Sequence, residues 1–403
     1  MITHLHIENF KSLVDFDLPP KGHELSPFTC LIGLNGAGKS TLLQAFDFVA
    51  QVARSGVQDW LDARGWKSAQ LVSHLGPKKA WGITFTVKFK CEDGGEAEWS
   101  AKFNTKMLRC TQEWVMKDGK HLLKVQDGHY AVAGVGQDAS VKSAEKINFE
   151  YKGSVLSVLK LPDMHPVLTE IKNELLALRS LELLSPQAMH RRAKGGDDIG
   201  TGGEKLSSYI ATLPPEQKAT LITQLQGFYP QFQKLNVNTM RFGWKNLRVW
   251  ENYDGNLGTD ATHLNDGLLR LIAILAQSHT TKHNFLLFDE IENGINPALV
   301  EKLMDFLVAL GTEGKQVVVT THSPVILNFL EDGVARQSVV MLYKTRSGQT
   351  RSCMFFEQPE TDFKLKILGP GEVFVDTDLN ALAERLASEA STPAQATGAE
   401  GGK

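Results

Sequence analysis

The chain has 403 residues, of which 42% are apolar and 22% charged, with a net charge of −3. That composition excludes a chain too polar to build a core, and the missing global basic field excludes a binder of nucleic acid by bulk electrostatics. The length predicts a large α/β body with insertions, or two domains, because one small core cannot absorb it. Cys30, Cys91, Cys110 and Cys353 are scattered with no CxxC pair, so neither a zinc site nor a disulfide framework is expected. Free thiols fit a reducing cytoplasm. The start, MITHLHIENFKSL, lacks a basic segment followed by an apolar one, so no secretory leader is expected. No apolar run approaches the roughly 18 to 20 residues that span a bilayer, so the chain is expected to be cytoplasmic and to have no membrane partner.

Residues 3–9 alternate as a strand does, and the apolar run 28–32 (FTCLI) feeds directly into GLNGAGKST. After it, Leu42, Leu43, Phe46, Val49, Ala50 and Ala53 recur at helical spacing. Residues 81–90 alternate strictly. Segments 98–103, 111–117, 129–135 and 147–160 are also strand-like and are separated by Gly and Asp turns, so roughly 80–160 reads as an antiparallel sheet. A helical stripe follows over 166–178, carried by Val167, Leu168, Ile171, Leu175 and Leu178. Residues 189–205 are glycine-rich with charges of both signs and read as a mobile loop. Residues 204–226 are helical with a break at Pro214 and Pro215, and no heptad array predicts a coiled-coil arm. From 262 the pattern is α/β: helix 266–278, strand 284–289, helix 297–311, strand 316–320, helix 324–331, strand 337–344. The last stretch, 387–403, is small and polar and reads as a disordered tail.

Gly33-Leu34-Asn35-Gly36-Ala37-Gly38-Lys39-Ser40 satisfies GxxxxGK[ST] between a strand and a helix. The glycines let backbone N–H groups turn toward phosphate oxygens, and the helix adds its positive N-terminal end. Lys39 offers a point charge to the terminal phosphates, and Ser40 a hydroxyl to Mg²⁺. The apolar strand 285–288 ends in Asp289 and Glu290; the first is placed to hold Mg²⁺ and the second to polarise an attacking water. Read alone, that pair is an acidic turn after a buried strand. The strand 317–319 runs through Thr320 and Thr321 into His322, 33 residues past Asp289 and placed to meet the γ-phosphate and the water. A fourth segment, 263–270 (HLNDGLLR), opens an apolar helix; a plain helix cap explains Asn265 and Asp266 equally well.

Together these segments resemble the ABC-type ATPase superfamily, in particular its SMC/RecF/OLD-like branch, including ATPases with a short insertion in place of a coiled coil. IENFKSL is similar to that branch's N-terminal signature, LNDGLLRL to its signature motif, ENGINP to its D-loop and TTHSP to its switch histidine; LGPGEVFVD, residues 368–376, is similar to the end of the core. The resemblance implies an α/β fold: a P-loop ABC-type ATPase head with an antiparallel β subdomain and a helical insertion. Residues 1–60 and 260–380 would make the core, 61–165 the β-rich subdomain, 166–259 a helical and loop insertion, and 387–403 the tail. It further implies that two subunits sandwich two ATP molecules. Gly33, Asn35, Gly36, Ala37, Gly38, Lys39, Ser40 and Thr41 of one copy would cradle the phosphates, with Asn265 and Gly267 supplied by the other. Lys39, Glu290 and His322 would be catalytic, and Ser40 and Asp289 would hold Mg²⁺. The chain departs from the pattern with Asn265 in place of serine and Asp266 in place of glycine. Gln51 and Gln70 both compete for the Q-loop glutamine, and Lys11 lies near the nucleotide by family position.

The resemblance implies a switch in genome maintenance or anti-phage defence with a separate effector, such as a nuclease. An alternative is direct DNA gripping, through Lys78 and Lys79 or through Arg191, Arg192 and Lys194; the plainer reading of these is solvated loops. The long gap between Lys39 and the signature argues against a transporter subunit. Glu372, Asp376 and Asp378 suggest a metal cluster, yet only 25 residues follow Asp378, too few for the nuclease domain that OLD-type proteins carry, so no nuclease activity is expected of this chain alone.

Overall fold

The structure is a computed structural model and describes residues 1–75, 82–134, 139, 144–159, 165–196, 198–278 and 284–390. In chain order it runs β1 (Ile2–Phe10), β2 (Leu13–Leu18), β3 (Phe28–Ile32), α1 (Lys39–Arg54) and α2 (Val57–Arg64). Then come β4 (Gly82–Lys90), β5 (Glu96–Asn104), β6 (Arg109–Lys117), β7 (Lys120–Gln126), β8 (His129–Val132), β9 (Glu145–Lys146), α3 (Val155–Val158), α4 (Pro166–Ala177) and β10 (Leu178–Ser180). The middle continues with α5 (Pro186–Met189), α6 (Leu206–Thr212), α7 (Pro215–Phe228), β11 (Phe232–Thr239), β12 (Lys245–Asn252) and β13 (Asn256–Asp260). The last third holds α8 (Asp266–Ser278), β14 (Phe285–Phe288), α9 (Pro297–Thr312), β15 (Gln316–Thr320), α10 (Pro324–Asn328), α11 (Asp332–Ser338), β16 (Val339–Lys344), β17 (Thr350–Met354), α12 (Pro359–Leu365), α13 (Pro370–Asp376) and α14 (Leu379–Glu389).

Three sheets organise these elements. An eight-stranded antiparallel sheet has the order β2-β1-β4-β5-β6-β7-β8-β9, so the first two strands of the chain form its edge. A six-stranded sheet, β10-β14-β15-β3-β16-β17, is parallel except for the last pair. A three-stranded antiparallel sheet, β11-β12-β13, lies in the insertion. The parallel strands are short unbroken apolar runs, as strands covered on both faces must be. Their side chains alternate between two cores. Leu31, Phe285, Leu287 and Val318 face the core that holds α1. Cys30, Leu286, Phe288, Val317 and Val319 face the core that holds α8 and α9.

Helix α1 is sandwiched between the two large sheets, which is why it is apolar nearly all round. Phe46 meets Phe285 of the parallel sheet edge-on at 5.2 Å. Phe48, on the opposite side, meets Phe103 of the antiparallel sheet at 5.2 Å and Phe10 at 5.3 Å. The antiparallel sheet thus acts as a lid that presses the phosphate-loop helix onto the parallel sheet.

Several sequence expectations need correction. Residues 147–160 are no strand: the described part, to 159, is irregular and ends in the short helix α3. The backbone N–H groups of Val155 (2.8 Å) and Leu156 (3.4 Å), and the Ser154 hydroxyl, donate to the buried carboxylate of Glu113 instead of to a ladder. Residues 166–259 are not only helix and loop, since they contribute β10 to the parallel sheet and the whole of the three-stranded sheet. The tail begins later than 387, because α14 runs to Glu389 with Leu382, Leu386 and Ala387 buried; residues 391–403 lie outside the described part. The strand expected at 129–135 ends at Val132. No described helix is long and apolar enough to cross a membrane.

Candidate functional site

The C-terminal ends of β3, β14 and β15 lie side by side in the parallel sheet. Each delivers one motif, so Lys39, Ser40, Asp289, Glu290 and His322 converge although they span most of the chain. Open parallel sheets bind ligands at this end. The loop 33–38 closes tightly onto its surroundings. Gly38 has φ +113, and a Cβ there would stand 2.5 Å from the Thr350 hydroxyl. That hydroxyl donates to the Ala37 carbonyl at 2.9 Å and meets the Ser12 hydroxyl at 2.9 Å. Thr350 therefore props the loop from β17, while Ser12 props Thr350 from the β1–β2 turn.

Lys39 is buried, and its ammonium donates to the carbonyls of Gly33 (2.8 Å) and Leu34 (3.3 Å). Burial lowers its pKa, against the opposing pull of Asp289, Glu290 and Glu292. Ser40 donates its hydroxyl proton to Asp289 Oδ2 at 2.7 Å. Thr320 donates to the other oxygen, Asp289 Oδ1, at 2.5 Å and accepts the Glu290 N–H at 2.8 Å. Glu290 sits at φ +46, a conformation that costs a non-glycine residue. Arg270 holds this turn by donating to the carbonyls of Asp289 (2.7 Å) and Glu290 (3.0 Å). The Glu290 carboxylate is half exposed, with His322 Nε2 3.9 Å away and Asn293 Nδ2 at 3.4 Å. The His322 N–H donates to Glu292 Oε1 at 2.9 Å, which fixes the turn that carries the imidazole. Asn35 and Gly36 are exposed on the loop, and Thr41 lies in the first turn of α1.

Asn265 and Gly267 do not join this group. The Asn265 carboxamide accepts the Leu268 N–H at 2.8 Å and so caps α8. Both residues line a cavity of 370 Å³ with Leu268, Gly294, Ile295 and Asn296. A larger cavity, 810 Å³, opens beside Leu34, Asn35 and Ala37 of the phosphate loop and shares no lining residue with the first. A Cβ on Gly267 would stand 2.3 Å from the Gly294 carbonyl, so the signature and D-loop segments touch backbone to backbone. His190 clamps the same turn: its Nδ1–H donates to the Ala261 carbonyl (2.6 Å), and its Nε2 lies 3.0 Å from Asp266 Oδ1.

Sequence reasoning missed Thr320, Arg270, Thr350 and Glu182. The first two lie inside the motifs and could have been found there: Thr320 ends the β15 run, and Arg270 follows Gly267 by three positions, one helical turn on. Glu182 carried no signal. Its place is fixed by β10, which pairs in parallel with β14, Ser180 opposite Leu287, with the Leu181 N–H donating to the Leu287 carbonyl at 2.8 Å. Two residues beyond Ser180, Glu182 lies alongside the end of β14. Its side chain is 3% exposed. Arg64 donates to its Oε1 at 3.2 Å, and its Oε2 has no partner among the described residues. Burial pushes its pKa up to about 7, and Asp289 contributes to the rise. Neither glutamine candidate occupies such a position. Gln51 donates to Asp47, and Gln70 accepts the Lys67 N–H. Lys11 lies over the Trp66 ring at 3.5 Å and donates to Gln44 at 2.7 Å, one helical turn past Ser40; burial lowers its pKa to about 8. The carboxylates of Glu372, Asp376 and Asp378 are spent separately: on the Gly369 N–H, on Lys364 and on the cap of α14.

This geometry defines a class, the P-loop ATPase site. Comparison with known proteins agrees. The model described as "AAA ATPase domain" matches residues 1–154, and that described as "AAA domain, putative AbiEii toxin, Type IV TA system" matches 170–328. The chain is also 30% identical over 102 residues to the OLD nuclease of Thermus scotoductus, a match covering 24% of this chain and 18% of that protein. It therefore spans less than a fifth of that curated relative's length. Two solved structures share the fold. The SmcHead bound to the C-winged helix domain of ScpA is 18% identical, with a TM-score of 0.51, over 88% of this chain and 98% of that one. The Smc head with an extended coiled coil bound to the C-terminal domain of ScpA, derived from Pyrococcus furiosus, is 14% identical with a TM-score of 0.51, over 91% and 99%. AAA ATPase domain models thus match both halves of the chain, which has the fold of SMC heads.

Proposed function

We propose that this cytoplasmic chain is a switch that binds and hydrolyses ATP, closes as a homodimer around two ATP molecules, and controls a separate effector in anti-phage defence or DNA repair. The observation that supports it best is the shared grip of Ser40 and Thr320 on the two oxygens of Asp289. A hydroxyl and a carboxylate oxygen 2.7 Å apart are the donors that a small hard cation takes in place of a hydrogen bond. Ser40 and Asp289 would thus hold Mg²⁺, which supplies charge neutralisation at the β- and γ-phosphates. Lys39, now spent on its own loop's carbonyls, would exchange them for phosphate oxygens, joined by the N–H groups of residues 36–41. Glu290, held out by its strained backbone, would orient the attacking water, with His322 beside it.

The sandwich is supported by what Asn265 and Gly267 do not reach. They open onto a groove separate from their own phosphate loop, so a second copy is the natural recipient. The decisive variant is Glu290→Gln, which should keep ATP affinity, lose hydrolysis by at least about 100-fold, and accumulate an ATP-bound dimer in light scattering. A strictly monomeric variant at saturating ATP would end the dimer reading.

A second reading, direct contact with DNA, is favoured by one surface. Ala193 pairs with Lys245, which brings Arg191, Arg192 and Lys194 beside the β11–β12 turn with Arg241 and Lys245. No carboxylate interrupts 239–245 or 191–194. Phe242 (85% exposed) and Trp244 (43%) stand among these cations. Stacking rings between cations suit single-stranded nucleic acid. Lys78 and Lys79 lie outside the described residues.

A further inference from the structure

One cluster of ligating side chains lies apart from the phosphate loop, on the outer face of the β1–β2 edge. His4, His6 and Glu8 occupy alternate positions of β1, while Leu5 and Ile7 between them point into the core. The antiparallel register sets His6 opposite Asp17 and Glu8 opposite Asp15, which puts all five groups on one face. Ligand atoms of His6, Asp15 and Asp17 lie within 4.8 Å of one another.

The atoms are sorted in a telling way. Asp15 Oδ2 faces Arg351 at 3.5 Å and Asp17 Oδ2 faces Lys21 at 3.7 Å. Both Oδ1 atoms turn inward instead. Asp17 Oδ1 meets His6 Nδ1 at 2.9 Å and His4 Nε2 at 3.3 Å. In the tautomer that donates the Nδ1 proton to Asp17, Nε2 offers a lone pair. That lone pair faces two further acceptors, Glu8 Oε1 at 3.5 Å and Asp15 Oδ1 at 4.0 Å. A proton on Nε2 serves one of these carboxylates, whereas a divalent ion beside Nε2 serves both. An imidazole nitrogen with two carboxylate oxygens suits a divalent ion of borderline softness, and a histidine that ligates through one nitrogen while giving the other N–H to a carboxylate is the usual support for such an ion.

The geometry points to a site for one Zn²⁺-like ion at His6 Nε2, Glu8 and Asp15, with Asp17 orienting His6 and His4 bracing Asp17. The ion would pin the edge hairpin β1–β2 to β17, which Arg351 and Ser352 already join to Asp15 and Asp17. The four cysteines do not compete, since all are buried.

The test is titration of Zn²⁺ into the full chain without nucleotide, by competition with a chromophoric chelator. Wild type should take up one tight equivalent. His6→Ala and Asp15→Asn should lose it, and Asp17→Asn should weaken it by about 10- to 100-fold. Asp289→Asn should leave it unchanged. Unaltered circular dichroism in Asp15→Asn guards against loss through misfolding. No tight equivalent in wild type, or one that survives in His6→Ala, overturns the site. Loss in Asp289→Asn overturns it too, by assigning the ion to the phosphate-loop cluster.

Discussion

Thr320 offers the sharpest test of how the carboxylate turn is held. The side chain is fully buried, and valine reproduces its shape while removing only the hydroxyl. Two interactions disappear. The hydrogen bond to the ionised Asp289 oxygen belongs to the charge-assisted kind, worth about 1.5–3 kcal/mol. The Glu290 N–H, part-buried and donated to the same hydroxyl, loses its acceptor at a further cost of about 1–3 kcal/mol. The two losses share one atom and do not add fully, so Thr320→Val should cost about 2–4 kcal/mol in denaturant unfolding of the nucleotide-free chain. Asp289 and the strained Glu290 then lose one of their two common anchors, keeping Arg270 on their carbonyls, and ATP hydrolysis should fall by about 100-fold or more if preorganisation of the Asp289 carboxylate is what the hydroxyl supplies. Thr320→Ser keeps the hydroxyl and gives up one methyl, so it should cost about 1 kcal/mol and retain hydrolysis. A valine variant within 0.5 kcal/mol of wild type, hydrolysing at the wild-type rate, refutes the bridge.

The buried Glu182 gives a pH prediction. Its pKa is raised from 4.5 to about 7 in the folded chain, so the folded state binds the proton more tightly than the unfolded one. Stability from this group is present at low pH and is lost as pH rises from about 4.5 through 7, by as much as roughly 3 kcal/mol. Glu182→Gln should remove that decline, and parallel stability–pH curves for variant and wild type from pH 5 to 8 would contradict it. Gly267→Ala, which in an open helix gains about 1 kcal/mol, should here lower the melting temperature, because its Cβ meets the Gly294 carbonyl at 2.3 Å; a raised melting temperature counts against the contact. Phe242 holds φ +59 on an exposed tip. Phe242→Gly should therefore change stability by no more than a gain of about 1 kcal/mol, while weakening single-stranded DNA binding in fluorescence anisotropy if the second functional reading holds. Undiminished binding would detach the tip from that role.

The site was legible in the sequence wherever a motif is contiguous. A four-residue apolar run ending in Asp289 and Glu290, or in Thr320 to His322 after β15, states its own local structure, and short buried strands that end in polar groups can only place those groups at the rim of a parallel sheet. Contacts between distant segments were not legible. β10 is three residues long and follows α4 without a turn residue, so its first residue, Leu178, continues the helical stripe. Only its pairing with β14 reveals that Glu182 stands at the carboxylate end of the sheet. β11 was hidden differently. A register shift between Phe232 and Lys234 breaks its alternation, leaving Phe232 and Leu235 buried at a helix-like spacing of three. The edge strands β1 and β2 alternate clearly, but alternation specifies a face and not a partner; their union with β4 comes from burying Leu5, Ile7 and Phe16 against Phe48 and its neighbours. The same pairing has a chemical consequence on the other face. A strand that hides its odd residues in the core must display its even ones together, and here those are two histidines and a glutamate set opposite two aspartates. The fold that clamps the phosphate-loop helix therefore also fixes the spacing of the outer cluster, so metal binding there reports on the integrity of the lid sheet independently of nucleotide.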